Sequence, residues 1–329
     1  MTYKVHFANI SITGKDKELL DYGDLVVRSV LKNQEPRKTS SATYHFMDVD
    51  IGFMKEGQKL SLSLYGRFVK HTVLSSEQEL IDGKLVPKIV NLPTSPSSFF
   101  VFNLADHRVA FLEETKGAPS VRTFGNTLRL FIKKTYDQYT REMWDRAKEI
   151  DPSTTLASVR KAFPLPLVHT VPIAGKVEIS AFIQNFAKIT SLSIQVVKRN
   201  QDMTAGGIFD ALSEDVSELG PASSTLRING GKDGLIKQKT QEYLGEIADH
   251  GYEDSKVVGT DASGAKLAGT NSDYSLTRYI AEVPAENRSR AERVYEEYIS
   301  AKTDGQIRVE ARNVNEIGQT LDDLARKHG

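Results

Sequence analysis

The stretch Ser97–Tyr139 constrains the fold of this chain more than any other part of the sequence. It begins with two apolar segments, Phe99–Leu104 and Val109–Leu112, which are separated by the short polar turn Ala105–His107. Apolar residues on both faces of a segment are typical of a central strand that is buried above and below. The sequence therefore predicts a tight β-hairpin at the centre of a sheet.

A long amphipathic helix is predicted after the hairpin, from about Arg122 to Glu149. Its apolar residues recur every three or four positions, which places them on one helical face: Phe124, Leu128, Phe131, Ile132, Tyr136, Tyr139 and Met143. At 1.5 Å per residue such a helix is ~40 Å long, enough to cross a whole sheet. We expect it to cover the sheet that contains the hairpin.

The remaining patterns predict an α+β fold in two domains. Residues 1–165 would form an N-terminal domain, a mainly antiparallel sheet packed by the long helix, with further strands at Tyr3–Ile12, Thr43–Lys55 and Leu60–Lys70. The segment Leu74–Ile89 is polar and weakly patterned, and no strand is assigned to it. Residues 166–329 would form a second α+β domain after a proline-containing hinge.

The second domain begins with the pattern of a β-α-β unit. Strands are predicted at Val168–Ile173 and Ser191–Val197, with a helix at Lys176–Lys188 between them. A crossover of this length would place the two strands parallel. Further along, the sequence predicts helices at 203–219, 235–250, 286–300 and 315–327, and a strand at 306–312.

Composition excludes several classes of protein. The 329 residues contain no cysteine, which excludes disulfides, iron–sulfur clusters, cysteine-ligated zinc and a thiol nucleophile. No apolar run approaches ~20 residues, so we expect no membrane insertion. The first residues lack the basic and apolar blocks of a signal peptide, and we therefore expect a cytoplasmic protein.

No catalytic motif is present in the sequence. Neither G-x-S-x-G, nor H-E-x-x-H, nor a P-loop occurs, so we assign no catalytic residue, metal ligand or cofactor. An alternative hypothesis is a metal-dependent nuclease, because Asp48 and Asp50 are spaced i,i+2 and Asp254 precedes Lys256 in an acid-x-Lys pattern. A third is a protein–protein interaction subunit that docks through the charged helices after Glu286.

Charge is unevenly distributed although the net charge is zero. Lys and Arg outnumber Asp and Glu by 13 to 6 between Arg122 and Asn200, whereas acids outnumber bases by 12 to 6 between Gln241 and Ser300. A basic middle segment permits a localised anion-binding face. Nine basic residues form the predicted nucleic-acid contact: Arg129, Lys133, Lys134, Arg141, Lys198, Arg199, Lys232, Lys237 and Lys239.

These basic residues fall into three groups, and each group has a simpler interpretation. Four lie on the polar side of the long helix, which can be an ordinary solvated face interrupted by Asp137. Lys198 and Arg199 end a strand. Lys232 lies within the glycine-rich segment Asn229–Gly234, and Lys237 and Lys239 follow it. This segment precedes a helix and can be a plain turn rather than a phosphate cradle. Trp144 is expected to anchor the long helix rather than to stack on a base.

Three stretches carry a resemblance to a known family. They are the hairpin from Pro96 to Phe111 with Gly117–Pro119, the helix-to-strand segment Val177–Lys198, and the turn Thr260–Gly264 before Asp273. Their order resembles the RexA family of lambdoid phage exclusion proteins, and bacterial families found beside phage-defence genes.

The resemblance implies a cytoplasmic, dimeric protein that binds DNA with little sequence preference and acts in abortive anti-phage defence. Together with the charge pattern, it leads to the hypothesis of a homodimer that binds double-stranded nucleic acid, with DNA favoured, and serves as a sensor or effector of defence. A second defence protein is a further candidate partner.

Overall fold

The computed structural model describes residues 2–14, 17–32, 35–197, 223–251, 253–309 and 314–329, which are called the described residues below. They form an α+β fold built on two antiparallel sheets, one of nine strands and one of four. This confirms the predicted fold class. Within the described residues, no helix is long and apolar enough to cross a membrane.

Thirteen strands are found among the described residues. They are β1 (Tyr3–Thr13), β2 (Arg37–Lys38), β3 (Ala42–Glu56), β4 (Lys59–Ile81), β5 (Lys84–Thr94), β6 (Ser97–Asn103), β7 (Arg108–Glu113), β8 (Leu167–Pro172), β9 (Lys188–Val197), β10 (Ser223–Asn229), β11 (Glu253–Thr260), β12 (Lys266–Thr270) and β13 (Thr277–Ile280). The large sheet has the order β13-β1-β7-β6-β4-β3-β2, with β8 added beside β1 and β5 beside β4. The predicted hairpin, β6–β7, lies at its centre.

Seven helices accompany the strands in the described part of the chain. They are α1 (Gly23–Leu31), α2 (Val121–Ile150), α3 (Leu156–Ala162), α4 (Lys176–Gln184), α5 (Lys237–His250), α6 (Asn287–Thr303) and α7 (Val314–His328). The long helix α2 packs with α1 and α7 on one face of the large sheet, and α6 packs on the other. Each face of the large sheet therefore has its own hydrophobic core. Because side chains alternate along a strand, Phe100 of β6 packs in the core with α2, and Phe99 packs in the core with α6.

A cluster of phenylalanine rings fixes α2 on the sheet. Phe124 of α2 is fully buried, and the centroid of its ring lies 5.0 Å from that of Phe100, 5.5 Å from Phe46, 5.6 Å from Phe111 and 5.7 Å from Phe68. Tilted and edge-on rings at these distances are the preferred aromatic arrangement. The cluster holds the apolar stripe of α2 inward, so the opposite helical face is turned to solvent.

The two sheets divide the chain differently from the predicted boundary at residue 165. Strands β8 and β13 both pair antiparallel with β1, so segments beyond residue 165 belong to the large sheet. The small sheet, ordered β10-β9-β11-β12, is formed by the chain between them and is packed by α4 and α5. Because β8 and β9 belong to different sheets, the predicted parallel pairing of these strands is wrong.

One further prediction differs from the structure, because residues 306–309 of the strand predicted at 306–312 form no strand. The predicted helix at 203–219 lies outside the described residues. The weakly patterned segment Leu74–Ile89 contains the last eight residues of β4 and the first six of β5. Asp82 and Gly83 join these strands with φ angles of 48° and 76°, the left-handed backbone of a two-residue hairpin turn.

Candidate nucleic-acid interface

The candidate interface lies on helix α2. The helix begins after Ser120, whose hydroxyl accepts a hydrogen bond of 3.3 Å from the backbone N–H of Thr123 and so caps the first turn. Its stripe from Phe124 to Tyr136 is buried as predicted. The 3.6-residue period of the helix therefore places the intervening polar residues on the outside.

Four predicted basic residues lie together on this outer face, and are called the basic ridge: Arg129, Lys133, Lys134 and Arg141. All four are exposed, and the ridge spans thirteen residues, with ~18 Å of helix between the first and the last. None of them forms an ion pair with another residue that the structure describes. The ammonium of Lys134 lies 5.9 Å from the centroid of the Phe131 ring, so its carbon stem covers apolar surface while the charge faces solvent.

Two acidic residues beside the ridge, Asp137 and Glu142, are neutralised by arginines of other helices. Asp137, which interrupts the row of cations, accepts a 2.8 Å hydrogen bond from Arg160 at the end of α3. Glu142 accepts one of 2.6 Å from Arg28 of α1, and this bond lowers the pKa of Glu142. Because both carboxylates are paired with arginines that lie outside the ridge, neither has to be paired with a ridge cation.

His169 on β8 adds no charge to the ridge at neutral pH. Burial lowers the pKa of this imidazole, and the positive charge of Arg129 lowers it further. A histidine whose pKa falls below its ordinary value of 6.5 is uncharged at pH 7. The field of the ridge therefore comes from the arginine and lysine side chains alone.

The other five predicted cations do not belong to α2. Lys198 and Arg199 lie outside the described residues. The ammonium of Lys237 donates 2.5 Å and 3.4 Å hydrogen bonds to the carbonyls of Phe186 and Gln184, where it satisfies the end of α4. Lys239 is paired with Glu242 at 2.6 Å, and Lys232 is exposed on its turn.

The glycine-rich segment at 229–234 forms a turn that joins β10 to α5. The N–H of Gly230 donates to the carbonyl of Thr190 at 2.8 Å, and the N–H of Leu235 donates to that of Ile189 at the same distance. The N–H of Gly234 donates within the turn, at 3.1 Å. Since these amides are already satisfied by the chain, the simpler interpretation of this segment holds and a phosphate cradle gains no support.

The structure does not assemble the residues of the nuclease hypothesis. Asp48 sits at an irregularity of β3 with a φ of 52° and accepts a 2.8 Å hydrogen bond from Arg67, while Asp50 accepts one of 3.1 Å from the Tyr65 hydroxyl. Asp254 lies in the small sheet and is paired with Arg122 at 2.6 Å. Among the described residues, no group of three or more acidic or histidine side chains is placed to hold a metal ion.

A hydrogen-bonded serine, histidine and glutamate meet at the edge of the large sheet, a grouping that the sequence did not reveal. The Ser275 hydroxyl lies 3.2 Å from Nδ1 of His6, and Nε2 of His6 lies 3.2 Å from Glu113. However, Ser275 is only 8% exposed, and Thr277 lies 3.2 Å from the same ring nitrogen. A nucleophile needs an open approach, so we interpret this group as a link between strands rather than as a catalytic triad.

Trp144 anchors the C-terminal part of α2, as predicted. Its indole N–H donates a 2.8 Å hydrogen bond to the carbonyl of Thr154, beyond the end of the helix. The ammonium of Lys148 lies 4.2 Å from the centroid of its ring, a cation–π contact. The tryptophan face is thus occupied by the chain itself.

Comparison with known proteins adds no relative. No protein-family model matches the chain, and no curated protein matches it. The resemblance to the RexA family therefore stays a prediction.

Proposed function

We propose that this chain binds the phosphate backbone of double-stranded nucleic acid through the basic ridge of α2, without reading base sequence. The observation that carries the proposal is the group of four exposed, unpaired cations on one helical face, beside acids that Arg160 and Arg28 neutralise. Lysine and arginine contacts to phosphates fix the position of a protein on a duplex but carry no sequence information.

The dimensions of the ridge suit this role. Duplex DNA carries one negative charge per ~1.7 Å of its axis, so a helix that presents cations over ~18 Å faces several phosphates at once. The rigid packing of α2 on the sheet keeps these cations on one surface, which limits the loss of freedom on binding. The duplex favoured is DNA, and an RNA duplex serves as competitor in the test.

The test is a salt titration of binding. The affinity for a labelled duplex of arbitrary sequence, measured by fluorescence anisotropy, should fall with salt with a log–log slope of up to about −3.6, since each neutralised phosphate contributes about −0.9. The variant Lys133→Glu/Lys134→Glu should abolish binding at about 100 mM salt, because it reverses half of the ridge charge.

A control variant separates the ridge from net charge. Lys59→Glu/Lys266→Glu changes the net charge equally at two exposed positions away from α2, and should bind almost as well as the native chain. Affinity that is flat between low and moderate salt would contradict the phosphate contact. Equal losses in the two double variants would show that the ridge has no special role.

The nuclease hypothesis makes a different prediction. A magnesium-dependent nuclease would nick or linearise plasmid, whereas a binding protein leaves it intact with or without magnesium. Because Asp48, Asp50 and Asp254 are engaged with Arg67, Tyr65 and Arg122, respectively, we favour binding over cleavage. Cleavage that survives purification and depends on Asp254 would reverse this preference.

We further propose that binding serves as a sensor or effector step in bacterial anti-phage defence, as the family resemblance implies. Expression of the chain in a phage-sensitive host should then lower the efficiency of plaque formation. The ridge variant Lys133→Glu/Lys134→Glu should restore plaques, and Lys59→Glu/Lys266→Glu should not. Protection that is equal in the two variants would disconnect defence from the ridge.

A further inference from the structure

Residues 73–93 form a two-stranded ribbon that leaves the large sheet. Up to Thr72, β4 pairs with β3, but beyond this point its partner is β5 alone. Every residue from 73 to 93 is exposed. An isolated two-stranded hairpin is at best marginally stable in water, so a ribbon of this length is expected to gain from a further contact.

One face of the ribbon is apolar. Paired residues on opposite strands share a face, and four pairs share this one: Leu74/Leu92, Ser76/Val90, Gln78/Pro87 and Leu80/Leu85. Six of these eight side chains are apolar. Leu80 and Leu85, at the tip of the ribbon, are 68% and 67% exposed. Leu74 and Leu92, at its base beside the large sheet, are nearly as exposed. This set of eight residues is called the ribbon face. Contiguous exposed apolar surface of this kind marks an interaction site.

The opposite face of the ribbon is more polar. Ser75 donates a 2.7 Å hydrogen bond to Asn91, and Lys88 is paired with Glu79 at 2.5 Å. The apolar residues on this side lie beside these polar groups or at the irregularity in the pairing of the two strands: Val73, Ile81, Val86, Ile89 and Pro93. The more continuous apolar surface is therefore the ribbon face.

We propose that the ribbon face packs against the ribbon face of a second copy of this chain across a two-fold axis. The pairs along the face contain two, one, one and two apolar residues, so the pattern is the same from either end. An antiparallel two-fold arrangement places the leucine pair at the base of one ribbon on the pair at the tip of the other. It also brings Ser76 and Gln78 together at the centre. Such self-complementarity is what an isologous dimer contact requires.

Other occupants fit the ribbon less well. Residues 73–93 contain three acids and two lysines, a net charge of −1, which disfavours a polyanion. They contain no aromatic residue and no basic cluster, unlike segments that lie in a membrane interface. Pro87 and Pro93 lack the N–H groups that strand addition along β5 would use, so contact through the face is favoured over contact through the edge.

The size of the ribbon face predicts a weak dimer. About ten residues per strand at ~3.3 Å, with strands ~4.8 Å apart, make a face of roughly 33 by 10 Å. Two such faces present on the order of 700 Å² in projection, which is below the ~1,200 Å² of stable specific interfaces and in the range of weak, transient contacts. We therefore expect association in the micromolar range rather than a permanent dimer.

The test is the mass of the chain in solution as a function of concentration. Sedimentation equilibrium should show the 36.6 kDa chain shifting towards twice that mass between about 1 and 200 µM. The variant Leu80→Ser/Leu85→Ser should remain a single chain throughout. The matched variant Ile81→Ser/Val86→Ser removes apolar residues from the opposite face and should associate as the native chain does. Circular dichroism and Trp144 fluorescence check that each variant is folded.

Cross-linking locates the contact independently of any loss of stability. The chain has no cysteine, so a single Gln78→Cys is a unique site at the centre of the ribbon face. A short bismaleimide should join two copies of this variant, and should not join copies of Ser75→Cys on the opposite face. A single-chain mass at every concentration would overturn the proposal. So would equal dissociation by the two double variants, or equal cross-linking by the two cysteine variants.

Discussion

Gly125 provides a test of how closely α2 approaches the sheet. In an open helix, replacing glycine with alanine stabilises the fold by about 1 kcal/mol, because alanine loses less backbone freedom. Here a Cβ at position 125 would lie 2.5 Å from Cβ of Thr170 and 3.1 Å from its Cγ2, and would also meet its hydroxyl. Thr170 is held in β8 by pairing with Ile10 of β1, and its branched side chain is rotationally stiff.

Gly125→Ala therefore forces α2 away from β8 or distorts the strand. Overpacking of this kind costs typically 1–3 kcal/mol, and contact with an atom close to the backbone places the cost near the upper end. After subtraction of the helix gain of about 1 kcal/mol, we expect a net loss of about 2 kcal/mol in the free energy of unfolding. Adding Thr170→Ala should recover part of this loss, since it removes two of the three colliding atoms.

Urea unfolding followed by Trp144 fluorescence measures this change. The indole, the single tryptophan of the chain, is hydrogen-bonded across the end of α2 and so reports on that helix. Gly318→Ala in α7 is the matched control, because a Cβ at position 318 would have no described neighbour within 4 Å, and it should stabilise the fold by about 1 kcal/mol. If Gly125→Ala stabilised the protein as much as the control, the close approach of α2 to β8 would be refuted.

Two partly buried ionic contacts give further predictions. Burial raises the pKa of Asp24, but hydrogen bonds from Lys327 and His328 and the charge of Arg28 outweigh it and lower the pKa from 3.8 to about 2. The contribution to stability is thus present above about pH 4 and lost as pH falls towards 2. It amounts to about 1 kcal/mol after allowance for solvent screening, and urea midpoints of Asp24→Asn should lack this pH dependence. Lys302→Met should cost about 1–2 kcal/mol in thermal unfolding, because it removes the 2.9 Å cation of the partly buried Asp106 carboxylate, to which Tyr298 still donates a hydrogen bond.

The sequence was sufficient to predict those strands and helices whose local apolar pattern matches the faces that are buried in the fold. The β6–β7 hairpin and α2 were predicted because continuous apolar segments and a three-to-four-residue stripe occur only where both strand faces, or one helix face, are buried. The exposed position of Lys133 and Lys134 followed from the same stripe and is confirmed. The role of Arg160 could not be predicted, because its contact with Asp137 depends on how α3 folds back along α2.

Prediction from the sequence failed for a strand whose pairing partner is distant in the chain, and for strands that pack on no core. The crossover length between β8 and β9 permits parallel pairing, but β8 instead pairs with β1, more than 150 residues earlier, and no local signal specifies that choice. The ribbon was missed because both of its faces are exposed, so its alternation did not match a buried strand. Asp82–Gly83 was the available signal, since this dipeptide favours the left-handed turn of a two-residue hairpin.

A net charge of zero says little about whether a protein of this size can bind a polyanion. Charges on a protein surface act over roughly 10 Å or less at moderate salt, so the local imbalance decides and not the sum of 43 bases and 43 acids. On α2 two of the acids beside the ridge, Asp137 and Glu142, are held by Arg160 and Arg28, which come from other helices. Removing either arginine would free a carboxylate to pair with the ridge. The field of the ridge therefore depends on residues that never touch the ligand, and Arg160→Ala should weaken duplex binding without removing any ridge cation.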